Sequence, residues 1–200
     1  MKEKMSVSKA MAELRIIVKR IEDIQNSMDF VACRYACDKH NLTAGTSIDE
    51  FNKRVVSNID KLRDLERRYN KIKSAINISN AKTTITIDEE TMTIVEALER
   101  KRNIDREESF IVRMRRQLSE ALSTIESTNT KLNDKISESK HDDKMGFTEV
   151  YEKSKLELVD PLNIKDFLTK RQESLDKFTE EVDMLINESN VLTEIEIDFN

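Results

Sequence analysis

The stretch ALERKRNIDREESFIVRMRRQLSEALSTIESTNTKL, residues 97–132, decides the fold class of this 200-residue chain. Apolar side chains recur in it at every seventh position: Ala97, Ile104, Ile111, Leu118, Ile125 and Leu132. Such a heptad pattern is typical of a helix that buries a narrow stripe against another helix. It predicts a helix from Glu90 to Ser137, about 70 Å long. A rod of that length needs a second subunit to cover its apolar stripe.

Three other segments show helical spacing of their apolar residues. The predicted helices run from about Ser8 to Ser27, from about Ser47 to Ser79, and from about Asn163 to Glu188. Ser47 and Glu50 form a predicted capping box at the start of the second helix. The connector Phe30–Cys37 is expected to be a short strand or an irregular loop. The connector Phe147–Val159, which follows Gly146, is expected to be extended.

The composition agrees with a mainly α protein. Glycine occurs twice and proline once, while charged residues make up 36% of the chain, as in long helices with wide polar faces. The net charge of -5 argues against a general nucleic-acid binder. No apolar run approaches the roughly 18 residues of a membrane span, and the first ten residues lack an apolar signal region. We therefore expect a cytoplasmic protein that does not enter membranes.

A repeated motif indicates an internal duplication. The pattern I-N-x-S-N-x-x-T-x-I occurs at Ile76–Ile85 and again at Ile186–Ile195, and Met5–Met11 resembles Met92–Leu98. We predict two tandem helical hairpins, residues 1–90 and 91–200, joined as one continuous domain of long coiled-coil helices. Short strands are expected in the connectors and at the two hairpin exits. Because the exit strands are equivalent, they are expected to be able to pair with each other.

Three short motifs carry a resemblance to a known family. They are IN-x-[ST]-N-A-x-T at Ile76–Thr83, M-[ST]-x-x-E-A-L-x-R at Met92–Arg100, and V-D-x-x-I-N-E-x-N-x-x-T at Val182–Thr193. Together they resemble an uncharacterised, all-helical, septicolysin-like family of bacteria and phages, over nearly the whole chain. The resemblance implies a helical fold, and it brings no established enzymatic role.

The polar exits are the leading candidates for a binding site. Each exit carries two asparagines with a serine and a threonine, and three consecutive basic residues follow the first exit within about 20 positions. Amides offer donors and acceptors to a base or ribose, and guanidinium groups bind phosphate. The predicted ligand-binding residues are Asn77, Asn80, Thr83, Arg100, Arg102, Asn187, Asn190 and Thr193. The alternative is that the asparagines only cap the helix ends.

Catalysis and metal binding find little support in the sequence. Cys33, Cys37 and His40 offer three ligands where structural zinc takes four, and the other histidine, His141, is remote in sequence. No phosphate loop, dinucleotide fingerprint or nucleophile–base pair is present. We expect two free thiols, no metal, no cofactor and no enzymatic activity.

The resulting hypothesis is a non-catalytic helical homo-oligomer, at least a dimer, that binds or sequesters a small anionic, nucleotide-like ligand. If the chain is phage-encoded, it would act in the host cytoplasm as a sponge against a defence signal; that step is an analogy. One alternative is a structural or adaptor coiled-coil protein that binds a protein partner. The other is an unrecognised hydrolase.

Overall fold

The computed structural model of the protein describes residues 2–139 and 147–199, and the fold over these ranges is mainly α, as predicted. The strands are β1 (Lys2–Ser6), β2 (Thr84–Ile87), β3 (Glu90–Thr93) and β4 (Glu194–Asp198). The helices are α1 (Val7–Ser27), α2 (Ile48–Asn80), α3 (Ile94–Arg102), α4 (Ile104–Ser139), α5 (Phe147–Lys153) and α6 (Ile164–Leu192). None of the helices in these ranges is long and apolar enough to cross a membrane.

The chain divides into two compact units. The first unit comprises Met1–Ala97 together with Val182–Asn200, and the second comprises Leu98–Glu181. The first unit thus contains all four strands, α1 and α2, while the second contains α4 and α5. The boundary of the two predicted repeats, between residues 90 and 91, stays a prediction.

The start of the predicted third helix is wrong. Glu90–Thr93 is the strand β3, which pairs with β2 across a two-residue turn at Asp88 and Glu89. Both turn residues have positive φ, 48° and 66°, as a tight hairpin with right-handed strand twist requires. Because this turn usually contains glycine or asparagine, two successive acidic residues did not suggest it.

The predicted third helix is also interrupted, at Asn103. Its side-chain Nδ2 donates to the Glu99 carbonyl at 2.9 Å, which closes the end of α3. Its own carbonyl accepts from the Arg106 and Glu107 amides, both at 3.1 Å, which opens α4. An asparagine that bonds neighbouring backbone groups competes with the continuous helical ladder, so the single rod becomes two helices.

The strands pair differently from the expectation that the two exit strands join each other. β4 pairs antiparallel with β1, and β2 pairs antiparallel with β3. The reason lies in chain connection. The short turn brings β3 beside β2 at little entropic cost, so β2 is already paired locally. The last strand, β4, pairs instead with the first strand of the chain.

The core of the first unit lies where β1, α1, α2 and β4 meet. Ala10 of α1 and Ile72 of α2 are fully buried in it, beside Ile197 of β4. Ser6 ends β1 and caps α1, because its Oγ accepts from the Lys9 amide at 3.2 Å. The strand therefore passes directly into the helix, and both bury their apolar side chains in one cluster. Its members are Met5, Val7, Ala10, Leu14, Ile17, Ile72, Ile76, Ile195 and Ile197.

The two strand pairs carry equivalent contacts at positions that the repeated motifs align. In one ladder Met5 stands opposite Ile195, and in the other Met92 stands opposite Ile85. All four are buried, at 4–7% exposure. The neighbouring backbone hydrogen bonds also correspond. The Val7 amide donates to the Thr193 carbonyl at 3.0 Å, and the Ile94 amide donates to the Thr83 carbonyl at 2.9 Å. The repeated motifs align these positions as well.

The second unit is organised around α4. Ile111 and Met114 of α4 pack with Leu168 and Leu175 of α6 in one buried cluster. Asn129 holds the chain that follows α5, since it exchanges two hydrogen bonds with the backbone of Leu156, both at 2.8 Å. The far end of α4 is thereby tied to the connector.

The connectors contain no strand within the described residues, so the strand expectation for them is wrong. Phe30–Cys37 is irregular, the other outcome allowed by the sequence. Phe147–Lys153 is the helix α5 rather than extended chain, and it packs on α4, where Lys135 lies 5.8 Å from the centre of the Tyr151 ring. Ser47 precedes α2 as predicted, but its side chain makes no capping bond.

Candidate functional site

An open groove of about 440 Å³ lies in the first unit, between the end of α2 and the strand β4. One wall is a stripe that follows α2 and continues past its end at Asn80: Lys71, Ser74, Ala75, Ile78, Ser79, Lys82 and Thr83. The other wall consists of five consecutive residues, Glu194–Asp198. Side chains of a strand alternate between its two faces, so a groove on one face would be lined by every second residue. Since consecutive residues line this groove, it follows the edge of β4.

The edge of β4 on the groove side carries the backbone groups of Glu194 and Glu196. Within the described residues β4 pairs with β1 alone. Val7 and Thr193 form a hydrogen-bonded pair, and bonded and non-bonded pairs alternate along an antiparallel ladder. Glu194 and Glu196 therefore direct their N–H and C=O groups away from β1. An unpaired strand edge of this kind is a template for an added strand.

The outer face of β4 is acidic, whereas its inner face is apolar. Ile195 and Ile197 are buried, and Glu194, Glu196 and Asp198 are exposed. The hydrogen bond from Lys2 of β1, which lies 2.7 Å from the Glu196 carboxylate, is the main cause that lowers the pKa of Glu196. The same contact raises the pKa of Lys2.

The α2 wall combines an apolar centre with hydroxyl and ammonium groups. Ile78 is 56% exposed although it lies on the groove face, so its side chain is available to a ligand. The Ser79 carbonyl accepts from the amides of Lys82 and Thr83, both at 2.9 Å, which ends the helix at this point. The groove therefore has an apolar middle and polar groups at the helix end.

Of the eight predicted site residues, Thr83 alone lines this groove. Asn77 and Asn187 are exposed, and Asn190 is buried, with 9% of its surface accessible. Asn80, Thr83 and Thr193 are half-buried. At both exits the threonine amide bonds the carbonyl four residues earlier, Thr83 to Ser79 at 2.9 Å and Thr193 to Ser189 at 2.8 Å. The exits thus share a helix-ending geometry.

The two predicted arginines have partners within the second unit. The Arg100 guanidinium lies over the Phe178 ring at 4.3 Å, and its Nη2 donates to Ser174 Oγ at 3.3 Å. Arg102 pairs with Glu99 one turn earlier on α3, at 3.3 Å, and its side chain is 77% exposed. Neither arginine is among the residues that line the groove.

The cysteine connector contains a local turn. Cys33 and Cys37 are free and exposed. Asp38 Oδ1 accepts from the backbone amides of His40 and Asn41, which lowers the pKa of this carboxyl. Among the described residues no three potential metal-ligating side chains cluster, and His141 lies outside those residues.

The amino-acid sequence does not predict this groove, because its walls come from distant segments. The strand EIEID at Glu194–Asp198 does show alternating acidic and apolar residues, which signals one polar and one buried face. The stripe on α2 looks like an ordinary solvated helix face. Only their contact across more than a hundred residues makes a groove.

The known proteins give no relative from which a function could be transferred. Comparison of the chain with protein-family models, with curated proteins and with solved structures finds no match. The resemblance to the septicolysin-like family stays a prediction on its three motifs. The candidate function therefore rests on the groove.

Proposed function

We propose that the chain acts by binding rather than by catalysis, as an adaptor that takes an extended segment of a protein partner along the free edge of β4. The observation that carries this proposal is the unpaired edge of β4 beside an open groove. Addition of a strand to a sheet edge is a recurrent mode of peptide recognition, in which backbone bonds give affinity and side pockets give specificity.

The shape of the groove supports this use. An added strand would bond the backbone of Glu194 and Glu196 and would run along the α2 stripe. Its inward side chains would meet Ala75 and Ile78, which supply apolar surface at the centre of that stripe. Burial of apolar area there favours association and offsets part of the entropic cost of ordering the segment.

The electrostatics of the described residues support a binding role over a catalytic one. The carboxyl groups with a shifted pKa are Asp38, Glu96 and Glu196; Glu96 and Glu196 are exposed and Asp38 is half-buried. Local turns and caps, or a surface ion pair, account for each shift. Catalytic acids and bases are more often buried groups with opposing charges.

A second candidate is the sequestration of a small anionic, nucleotide-like ligand by a cytoplasmic protein. The observation that favours it is the pair Lys71 and Lys82 on the α2 wall, with the hydroxyl groups of Ser79 and Thr83 between or beside them. Ammonium and hydroxyl groups suit phosphate oxygens. The ligand role of the other seven predicted residues stays a prediction.

A homo-oligomer of at least two subunits remains part of the proposal. Leu122 of α4 is 37% exposed, and Leu118, Ile125 and Leu132 along the same stripe are only half-buried. A second copy of the chain would cover this stripe as in a coiled coil. An oligomer would also present several β4 edges at once, which raises avidity for a multivalent partner.

The test uses a labelled eight-residue peptide of alternating valine and serine, read by fluorescence anisotropy and by amide hydrogen exchange. We expect binding that protects the Glu194 and Glu196 amides. N-methylation of alternate peptide residues should abolish binding in one register and spare it in the other, because only one set of N–H groups faces β4.

A matched pair of variants localises the binding. Ile78→Asp, in the groove, should weaken it at least tenfold. Ile16→Asp, on α1 and equally exposed at 53% against 56%, should leave it unchanged. Absence of protection at Glu194 and Glu196 with every peptide, or equal effects of the two variants, would contradict the adaptor function. Thermal stabilisation by a nucleoside triphosphate, lost in Lys82→Ala, would instead favour the anionic ligand.

A further inference from the structure

We infer that the β4 groove selects a basic extended segment, with lysine or arginine at alternate positions and apolar residues between them. This inference rests on the proposed function and names the class of partner. It follows from the charges of β4 and from the strand that already pairs with its other edge.

The first strand of the chain is an internal template for the expected partner. In the β1–β4 register Lys4 stands opposite Glu196, and Lys2 stands opposite Asp198. Both ammonium groups approach the Glu196 carboxylate, at 2.7 Å from Lys2 and 3.9 Å from Lys4. Met5 of the same strand points inward and is 4% exposed. β1 thus places basic residues on the outer face, and its inner face carries Met5 together with Glu3, whose carboxylate pairs with Arg68.

The free edge of β4 offers the same outer face to a second strand. Glu194 and Glu196 lie along β4 on the side away from the core, because Ile195 between them and Ile197 beyond them are buried. A strand added on the groove side would set its outward residues directly beside these carboxylates. Cross-strand pairs of opposite charge are favourable and like charges are unfavourable.

The inward residues of the added strand would meet apolar surface. They would lie between the inner face of β4 and the Ala75 and Ile78 side chains of α2. An alternating pattern of basic and apolar residues therefore matches both faces at once. A one-residue shift of that pattern would place every basic side chain against the apolar wall.

The lysines of the α2 wall do not reverse this preference. Lys71 lies on α2 and Lys82 lies two residues beyond its end, eleven positions further along the chain, so the two lysines mark the two ends of the stripe. The carboxylates of β4, in contrast, are the direct cross-strand neighbours of an added strand. A second copy of β4 is also unsuitable, because antiparallel pairing centred on Glu196 would set carboxylate against carboxylate.

The experiment compares three labelled eight-residue peptides in which valine alternates with lysine, serine or glutamate. Affinity comes from anisotropy, and hydrogen exchange at Glu194 and Glu196 reports where each peptide binds. We expect the valine–lysine peptide to bind about tenfold more tightly than the valine–serine peptide at low salt, the effect of two or three favourable cross-strand pairs. The difference should shrink as salt screens the pairs.

Two charge-matched variants separate the local effect from the net charge. Glu194→Lys, at the groove edge, should reduce the preference for lysine to within about twofold. Glu173→Lys, exposed on α6 in the second unit, changes the net charge equally and should leave the preference intact. Equal losses in the two variants would mean that general attraction to an acidic protein explains the binding, and the inference would be wrong.

The outcomes also separate this inference from the proposed function. Equal affinity for the lysine and serine peptides, with both amides protected, would overturn the basic preference and leave strand addition standing. Tightest binding of the glutamate peptide would overturn it as well, in favour of the α2 lysines. Protection by none of the three peptides would overturn both proposals.

Discussion

The guanidinium of Arg100 lies over the ring of Phe178, 4.3 Å from its centre, and the ring is completely buried. The repeated motifs align these two positions with Glu13 and Arg68. In the first unit the same two positions also touch, because Arg68 Nε donates to Glu13 Oε1. One repeat thus joins the pair by an ion pair and the other by a cation–π contact. The two repeats therefore share the position of this contact, although the interacting groups differ.

The Arg100–Phe178 contact predicts a graded loss of stability. Phe178→Ala should lower the free energy of unfolding by about 3–5 kcal/mol, because it leaves a cavity in place of a buried ring. Arg100→Ala should cost about 1 kcal/mol through the lost cation–π contact. Arg102→Ala, whose pair with Glu99 is exposed, should change it by less than about 0.5 kcal/mol. Urea denaturation measures all three, and equal losses for both arginines would contradict the assigned contact.

The β2–β3 turn predicts a stabilising substitution. Glu89 holds φ at 66°, where a side chain with a Cβ is strained. Glu89→Gly creates an Asp-Gly turn and should raise the free energy of unfolding by about 1 kcal/mol. Glu89→Ala keeps the Cβ and should bring no gain. A thermal or chemical melt measures the difference, and stabilisation by both variants would point to the lost charge instead of the backbone.

The capping box at the start of α3 predicts a pH dependence. Glu96 Oε2 accepts from the Thr93 amide at 2.7 Å and from its hydroxyl at 2.9 Å, and the amide bond is the main cause that lowers the pKa of Glu96. A carboxyl with a lowered folded-state pKa stabilises the fold above its unfolded-state pKa and loses this contribution as pH falls through the folded value.

The check compares unfolding free energies of the wild-type chain and Glu96→Gln between pH 7 and pH 3. The wild-type advantage should be constant above the ordinary glutamate value of 4.5 and should shrink below it. Glu108→Gln, at an exposed position on α4, provides the control for a surface charge. An advantage that grew on acidification would have the wrong sign for a lowered pKa.

The α4 stripe predicts how the subunits separate. Sedimentation should give the wild-type chain a mass of at least two subunits. Leu122→Asp should reduce the mass to that of one subunit and leave the helix content unchanged, because a charge buried without a partner costs several kcal/mol. Ile111→Asp should instead disrupt folding, since Ile111 is 1% exposed and packed against α6. Val112→Asp, at a site 62% exposed, should leave the mass unchanged. A wild-type monomer at micromolar concentration contradicts the proposed oligomer.

The sequence predicted the helices whose apolar spacing is strong. The bounds of α1, α2 and α6 lie within four residues of the expected ones. The alternation of Thr84–Ile87 and Glu194–Asp198 likewise predicted strands at both exits. These features are local, because spacings of 3.6 and two residues depend only on which side of one element is buried.

The site could be predicted only in part. Thr83 lies in the groove, but Glu194, Glu196 and Ile78 were not among the predicted binding residues. An acidic residue on a strand looks like a solvated side chain until the partner of each edge is known. Basic residues that follow a polar exit in sequence suggested a phosphate site. The structure instead gives Arg100 the Phe178 ring and Arg102 the carboxylate of Glu99.

Local periodicity therefore determined that the chain is mainly helical, that two polar exits end in short strands, and that one motif occurs twice. Tertiary structure alone decided which strands pair. Met5 and Ile195 are 190 residues apart, and no local pattern distinguishes that pairing from one between the two exit strands. The observed pairing follows from two features. A two-residue turn pairs β2 with β3, and β1 and β4 bury their apolar side chains in one shared core. Non-local contacts of this kind depend on the whole folded chain, because their entropic cost is met only when the core forms around them.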